Sequence, residues 1–355
     1  MNNKKRRLLT GDTPTGRLHL GHWVGSIENR LALQDEYDCY FILANIHAFT
    51  TRADKPDDIR QSTLDIATDY LACGIDPKRS TLFIQSDIPA IPELTFFLSM
   101  LVPFTRVMRN PTIKDEIRDK GLGENYSFGF PLYAVGQMAD ILAFRPHIVP
   151  VGEDQAPLIE MTRETARRFN QLYCNVDPHT LDPDYLDKGG LFPIVDVKLG
   201  RSRRLIGTGA PSTDGRLLKM SKSLNNAIFL SDGPDTIKKK VMNMYTDPSR
   251  LKATDPGTLE NNPLWIFHEI FNPDQAWVRD ASLRYQQGSI GDVECKQRLI
   301  DVLVAFIDPI RKQRLIFEKD PGQVLAFLQE GARKANEITH ETLMLAKKAM
   351  KQDYT

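Results

Sequence analysis

Apolar residues along the first two-thirds of this chain fall into two alternating rhythms. Short runs at 7–10, 39–44, 81–85 and 147–151, mostly β-branched or aromatic, predict buried strands. Between them the apolar positions recur at helical spacing. In 58–73 the residues Ile59, Thr63, Ile66, Tyr70 and Leu71 share one face, and Gly74 stands where a C-terminal cap belongs. In 153–173 a second stripe is formed by Leu158, Met161, Thr165, Phe169 and Leu172. Strand and helix in alternation predict a parallel sheet covered on both faces, with ligands bound beyond the carboxyl ends of its strands.

The rhythm changes after about residue 231. From Pro234 onward the pattern is helical and punctuated by Pro248, Pro256, Pro263, Pro273, Pro309 and Pro321, with a last helix predicted over 331–351. The expected architecture is therefore α/β: a Rossmann-like, doubly wound parallel sheet over 1–233, followed by a C-terminal α-helical domain over 234–355. The stretch 196–218 carries Lys198, Arg201, Arg203 and Arg204, is glycine-rich and lacks periodicity, and is expected to be a loop. No internal repeat or low-complexity tract interrupts the pattern.

Composition narrows the picture only slightly. The chain has 355 residues, 41% hydrophobic and 26% charged, which suits about two soluble domains. Lys+Arg and Asp+Glu both number 46, so a nucleic-acid partner would have to be gripped by a local basic surface rather than by bulk charge. Cys39, Cys73, Cys174 and Cys295 are scattered without a CxxC and read as reduced thiols. The basic run Lys4-Lys5-Arg6-Arg7 is not followed by an apolar stretch long enough for a signal peptide, and no apolar window would span a membrane. A cytoplasmic location is expected.

Two local constellations carry chemistry. Thr10-Gly11-Asp12-Thr13-Pro14-Thr15-Gly16-Arg17-Leu18-His19-Leu20-Gly21-His22 follows the first predicted strand and opens a helix. Gly11 and Gly16 permit a tight backbone path, and Gly21 leaves room for a flat group such as adenine. His19 and His22 are neighbours on one helical face beside its N-terminus, an arrangement suited to a polyphosphate. Far down the chain, Leu218-Lys219-Met220-Ser221-Lys222-Ser223 offers two ammonium groups and two hydroxyls to a departing pyrophosphate. His19-Leu20-Gly21-His22 resembles the HIGH signature of class I aminoacyl-tRNA synthetases, and 219–223 is identical to their KMSKS loop.

A third constellation bears on the amino acid. Tyr133, Gln137 and Asp140 recur at helical spacing within 131–144, and the apolar flanks of Asp140 favour its burial. An indole nitrogen only donates, so Asp140 suits it as acceptor; Tyr133 and Gln155 suit an ammonium group. Val149-Pro150-Val151-Gly152-Glu153-Asp154-Gln155 is similar to the GEDQ turn of tryptophanyl-tRNA synthetases, and Leu9 stands where tyrosine enzymes place a tyrosine. The resemblance runs on through Gly74-Ile75-Asp76-Pro77 and Phe83-Ile84-Gln85-Ser86 and covers almost the whole chain.

That resemblance implies tryptophan activation by ATP, then transfer to the 3′ end of tRNA(Trp). It implies catalytic roles for His19, His22, Lys219 and Lys222, and ATP contacts from these and from Thr13, Gly21, Gly152, Asp154, Met220, Ser221 and Ser223. L-tryptophan would meet Leu9, Gly11, His47, Tyr133, Gln137, Asp140 and Gln155. Mg²⁺ would arrive with ATP, with no dedicated protein metal site. The helical domain, with Lys238, Lys239, Lys240, Arg250 and Lys252 near its start, would read the anticodon, and the family's homodimer, whose tRNA spans two subunits, is expected here.

Three departures stand out. Asn45-Ile46-His47-Ala48 has an amide where many relatives have an acid, which predicts less negative charge near the substrate ammonium. The basic stretch before Lys219 is longer than in compact relatives and either touches the tRNA acceptor end or is a solvated loop. Of four positions that ligate an iron–sulfur cluster in some relatives, only Cys295 is cysteine here; the others are Asn262, Tyr285 and Asp292, so no cluster is expected. Two alternatives remain open at this level: specificity for another aromatic amino acid, chiefly tyrosine, or a paralogue that binds without charging tRNA.

Overall fold

The computed structural model describes residues 5–152, 155–199, 205–212, 215–248 and 250–354. Five parallel strands, β1 (Arg7–Asp12), β2 (Asp38–Leu43), β3 (Ser80–Ile84), β4 (Ile148–Val151) and β5 (Asp196–Leu199), form one sheet in the order β3-β2-β1-β4-β5. The order reverses between β1 and β4, and a doubly wound sheet opens its ligand crevice at that switch point. Four of these strands lie where the apolar runs predicted. The fifth corrects the reading of 196–218 as loop throughout: it pairs along β4 from Asp196 opposite Ile148. Edge strands need no continuous apolar run, so Asp196 and Lys198 hid it; both are exposed.

The helices are α1 (Leu20–His22), which continues through a wider turn, Trp23–Ile27, into α2 (Glu28–Glu36), then α3 (Asn45–Arg52), α4 (Pro56–Cys73), α5 (Ala90–Ser99), α6 (Phe104–Met108), α7 (Pro111–Asp119), α8 (Gly129–Phe144) and α9 (Ala156–Cys174). Gly74 closes α4 in the left-handed region at φ 105°, as its position predicted. The C-terminal part contributes α10 (Pro234–Met242), α11 (Pro263–Phe271), α12 (Gln275–Gln286), α13 (Asp292–Lys319) and α14 (Pro321–Ala349). Of the prolines read as punctuation, Pro263 and Pro321 begin helices here. Pro321 occupies the first turn of α14 behind the cap Asp320, so the last helix starts well before residue 331. Pro309 lies inside α13.

Strand alternation assigns the core. Leu8, Phe41 and Leu82 face one side of the sheet, while Leu9, Tyr40, Ile42 and Phe83 face the other. The first face is covered by α4 and, beyond it, by buried residues of α10 to α13 such as Val241, Phe267 and Leu299, so one core runs across residue 233. The second face is covered by α5, α8 and α9 and by Ala335, Leu343 and Ala346 of α14. Gly331 of α14 lies directly on the β3 backbone, where a methyl group would collide with the Leu82 carbonyl.

In the helical part, the three non-cysteine positions of the family's cluster hold one another. Asn262 Nδ2 donates to Tyr285 Oη (3.3 Å), which donates to Asp292 Oδ1 (2.8 Å). Arg250 pairs with Asp292 at 3.2 Å and lies over the Tyr285 ring at 4.1 Å. An amide, a phenol and a hydrogen-bonded carboxylate offer no thiolates, so the residues present do not fit such a cluster.

Candidate active site

The carboxyl ends of β1 and β4 open onto a cavity of about 510 Å³. Leu9, Gly11 and Thr13 line it from β1 and its loop, His47 from α3, Tyr133, Gln137 and Asp140 from α8, and Gly152 and Gln155 from the turn after β4. The structure thus brings together all seven residues predicted to meet the amino acid. Asp154 and Glu153 lie outside the described residues.

Asp140 is 4% exposed. Its neighbour was not among the predicted site residues: Gln85, at the end of β3 and 1% exposed, donates Nε2 to Asp140 Oδ1 at 2.7 Å and Oδ2 at 2.9 Å. The amide orientation is set because Gln85 Oε1 accepts the Ile46 N–H at 3.1 Å. The same Nε2 lies 3.0 Å from His47 Nε2, which is also 3.4 Å from Asp140 Oδ2, so the amide, the imidazole and the carboxylate form one polar cluster. Burial pushes the Asp140 carboxyl above the usual range, opposed by His47 and by the Gln85 hydrogen bond. Tyr133 presents its ring to His47 at 5.8 Å and keeps its hydroxyl out of solvent.

Two further residues of the pocket wall were missed. Asp12 is held by Arg30 at 2.8 Å and by the Tyr70 hydroxyl, which also contacts Arg30. Burial alone would raise the Asp12 pKa, but the Arg30 charge and these hydrogen bonds hold it at about 2. Asn45, by contrast, does not line the cavity. It exchanges hydrogen bonds with Ser86, donating to Oγ and accepting from N–H at 3.0 Å each, which ties α3 to the turn after β3. The amide in place of an acid thus changes a structural contact and not the charge facing the pocket.

The two loops meet beside the cavity, which Thr13 and Thr15 line but His19, Gly21, His22 and residues 219–223 do not. Gly21 N–H donates to Met220 Sδ at 3.3 Å, and Lys222 Nζ donates to Thr15 Oγ1 at 3.3 Å. Leu20 N–H bonds to Ile228 O (2.9 Å) and Leu230 N–H to Leu18 O (3.0 Å), pairing the histidine turn with the segment after the lysines. Ser221 N–H is fixed by Asn226 Oδ1 at 2.7 Å, Ser221 and Ser223 share a hydroxyl contact at 2.9 Å, and Lys219 stays exposed.

Both histidines are neutral near pH 7. Burial first, then the charges of neighbouring lysines, lower His19 to about 2; burial lowers His22 to about 4 against the pull of Asp12. The His19 N–H donates to His22 Nδ1 at 3.1 Å, so His22 carries its proton on Nε2. Burial also draws Lys222 down to about 8, against Asp69 and Asp12.

Outside this site, the basic residues at the start of the helical part divide. Lys238, Lys239 and Lys252 are exposed. Arg250 is turned inward onto Asp292, and Lys240 is committed to Asp232 at 2.6 Å, so neither extends a free charge. Among the described residues no helix is long and apolar enough to cross a membrane.

A sequence model of the family described as tRNA synthetases class I (W and Y) matches residues 1–308. The chain is 45% identical over 354 residues to a tryptophan–tRNA ligase of Streptococcus pyogenes serotype M3, covering 98% of each. It is 46% identical over 352 residues to that of Streptococcus agalactiae serotype V, again covering 98% of each. The structure superposes on tryptophanyl-tRNA synthetase from Campylobacter jejuni complexed with ADP and tryptophan at a TM-score of 0.82, with 28% identity, over 97% of this chain and 99% of that one.

Proposed function

The chain belongs to the class I tRNA synthetases of the tryptophan and tyrosine type, and from that premise we propose how its pocket and its two loops divide the work. Its activity is tryptophan–tRNA ligation: L-tryptophan and ATP give tryptophanyl-adenylate and pyrophosphate, and tryptophan then passes to the 3′ end of tRNA(Trp).

The observation that carries the assignment of roles is the buried Asp140 carboxylate, held by Gln85 and facing the cavity. An indole N–H can donate to this acceptor and a phenyl ring cannot; against a phenol, which also donates, the discrimination falls to the apolar Leu9, which offers the hydroxyl no partner. Leu9 leaves the floor of the pocket apolar. Tyr133 and Gln155 receive the ammonium group, and Gln137 and His47 complete the wall. Thr13, Gly21, Gly152 and Met220 flank the nucleotide.

In the first step a tryptophan carboxylate oxygen attacks the α-phosphorus of ATP, and the bond to the bridging oxygen breaks with its electron pair leaving on pyrophosphate. The reaction needs positioning and charge stabilisation, not a protein nucleophile. His22 donates its Nε2 proton to a phosphate oxygen, His19 lies beside it, and Lys219 and Lys222 with Ser221 and Ser223 neutralise the departing pyrophosphate. With ATP bound, Mg²⁺ would supply charge neutralisation at its phosphates; among the described residues no group of three or more His, Cys, Asp or Glu is placed to hold a metal. In the second step a terminal ribose hydroxyl of tRNA attacks the adenylate carbonyl and AMP leaves.

The helical part, 234–355, reads the anticodon, with Lys238, Lys239 and Lys252 available to its phosphates, and it carries no iron–sulfur cluster. The enzyme acts in the cytoplasm as a homodimer. Exposed Phe96 and Met100 at α5, Phe104 of α6 and Phe128 before α8 support a second copy as their cover.

Amino-acid-dependent ATP–pyrophosphate exchange tests the roles. Wild-type enzyme exchanges with tryptophan and not with tyrosine or phenylalanine. Asp140→Ala lowers kcat/KM for tryptophan by about 10²-fold or more while leaving KM for ATP unchanged. A variant that keeps full exchange would remove Asp140 from the specificity site.

A further inference from the structure

Asp69 of α4 is a carboxylate with no exposed surface and no place in the cavity wall. Both of its oxygens are engaged. Oδ2 accepts the Leu18 N–H at 2.7 Å, and Oδ1 receives Nη1 of Arg314. Arg314 is 2% exposed and comes from α13, 245 residues further along the chain. Three more of its donors are used, by Asp65 O at 3.2 Å, Asp65 Oδ1 at 2.8 Å and Glu318 Oε1 at 2.9 Å.

Leu18 is the residue before His19, and its carbonyl is the one that accepts Leu230 N–H at 3.0 Å. The peptide entering the histidine turn is therefore clamped from two sides. The segment after the lysine loop holds its carbonyl, and a carboxylate steered by an arginine of the C-terminal helices holds its N–H. Arg17 adds a weaker cation, 3.7 Å from Asp65 and 3.9 Å from Glu318, but its side chain is half exposed. Without Arg314, the buried Asp69 and the largely buried Asp65 would lose their one buried cation, leaving the half-exposed Arg17 and the more distant Lys222. Asp69 would then protonate or turn, and its hold on Leu18 would loosen.

A buried ion cluster is a costly way to gain stability, since apolar side chains of similar volume usually serve as well. What it supplies here is a fixed direction for one acceptor at one peptide. We propose that Arg314 is a positioning residue for tryptophan activation: acting through Asp69, it fixes the Leu18 peptide and so places His19 and His22 against the ATP phosphates. The phosphate site thereby senses the seating of the C-terminal helices. This rests on the reading that the two histidines meet the phosphates.

The test compares Arg314→Met, Arg314→Lys, His22→Ala and the double variant Arg314→Met with His22→Ala in tryptophan-dependent ATP–pyrophosphate exchange. Tryptophan binding without ATP is followed by intrinsic fluorescence. Arg314→Met is expected to lower kcat/KM for ATP roughly tenfold or more, with tryptophan affinity unchanged. Arg314→Lys recovers part of the loss, and the double variant is no worse than His22→Ala alone. Equal losses for ATP and tryptophan, or a double variant whose losses multiply, would overturn the proposal. If His22→Ala leaves kcat/KM for ATP intact, the phosphate reading itself fails, whatever Arg314 does. Should Arg314→Met not fold, Arg314→Gln asks the same question, because it keeps a donor for Asp69 without the charge that steers it, and leaves the Asp69 carboxylate beside Lys222 in place. A fall confined to the ATP parameter supports the proposal, and any other pattern overturns it.

Discussion

Lys222 reaches the loop after β1 at Thr15, and the burial that comes with this docking brings its pKa to about 8. The sign follows directly. Below about pH 8 the ammonium is charged and can stabilise the leaving pyrophosphate; as pH rises through 8 that charge is lost. On the free enzyme kcat/KM for ATP should therefore fall on an alkaline limb near pH 8. His19 and His22, at about 2 and 4, contribute no limb between pH 5 and 8. Arginine stays charged throughout, so Lys222→Arg should move the limb out of the measured range even if its rate is lower. An unchanged limb in the variant would assign it to another group. The loop residues were legible in the sequence because their chemistry is local, a string of side chains on one turn. Gln85, Asp12 and Arg30 were not, since their roles arise from partners far along the chain: Asp140 lies 55 residues from Gln85, and Tyr70 lies 58 from Asp12.

The elements were legible wherever a single face or a continuous apolar run defined them, as in β1 to β4, α4 and α8. Those whose identity depends on what they lie against escaped. β5 exists because β4 offers it an edge, and the first turns of α14 exist because Pro321 and the Asp320 cap start a helix where the sequence suggested an interruption. Gly331 records how closely α14 approaches the sheet. On propensity alone Gly331→Ala would stabilise this helix by about 1 kcal/mol. The added methyl, however, meets the Leu82 carbonyl, a backbone atom within β3 that cannot move aside without disturbing the sheet. The clash should win, with a net loss of about 1–3 kcal/mol in urea unfolding. Stabilisation instead would show that α14 does not sit on β3 this closely.

At the scale of the molecule, the helices after residue 233 share cores with the sheet rather than standing apart from it. Periodicity could mark where the pattern changes but not how the parts pack, because packing is a property of surfaces distant in sequence. The same holds for what lies outside the chain. Phe96, Met100, Phe104 and Phe128 are 66%, 64%, 61% and 76% exposed on neighbouring elements. Apolar surface in water costs about 25 cal/mol per Å², so side chains of this size in one region are poorly explained by a free monomer. A second copy across them would also let one tRNA touch the adenylate site of one subunit and the helices of the other. Sedimentation at micromolar protein should accordingly show a dimer. Met100→Asp with Phe104→Asp should give folded monomers, because like charges then face each other across a two-fold interface. If the tRNA spans two subunits as proposed, those monomers should charge tRNA(Trp) far more slowly than they catalyse ATP–pyrophosphate exchange. If the wild-type protein sediments as a monomer and charges tRNA at full rate, the exposed aromatic face does not serve dimerisation and both tRNA contacts must come from one chain.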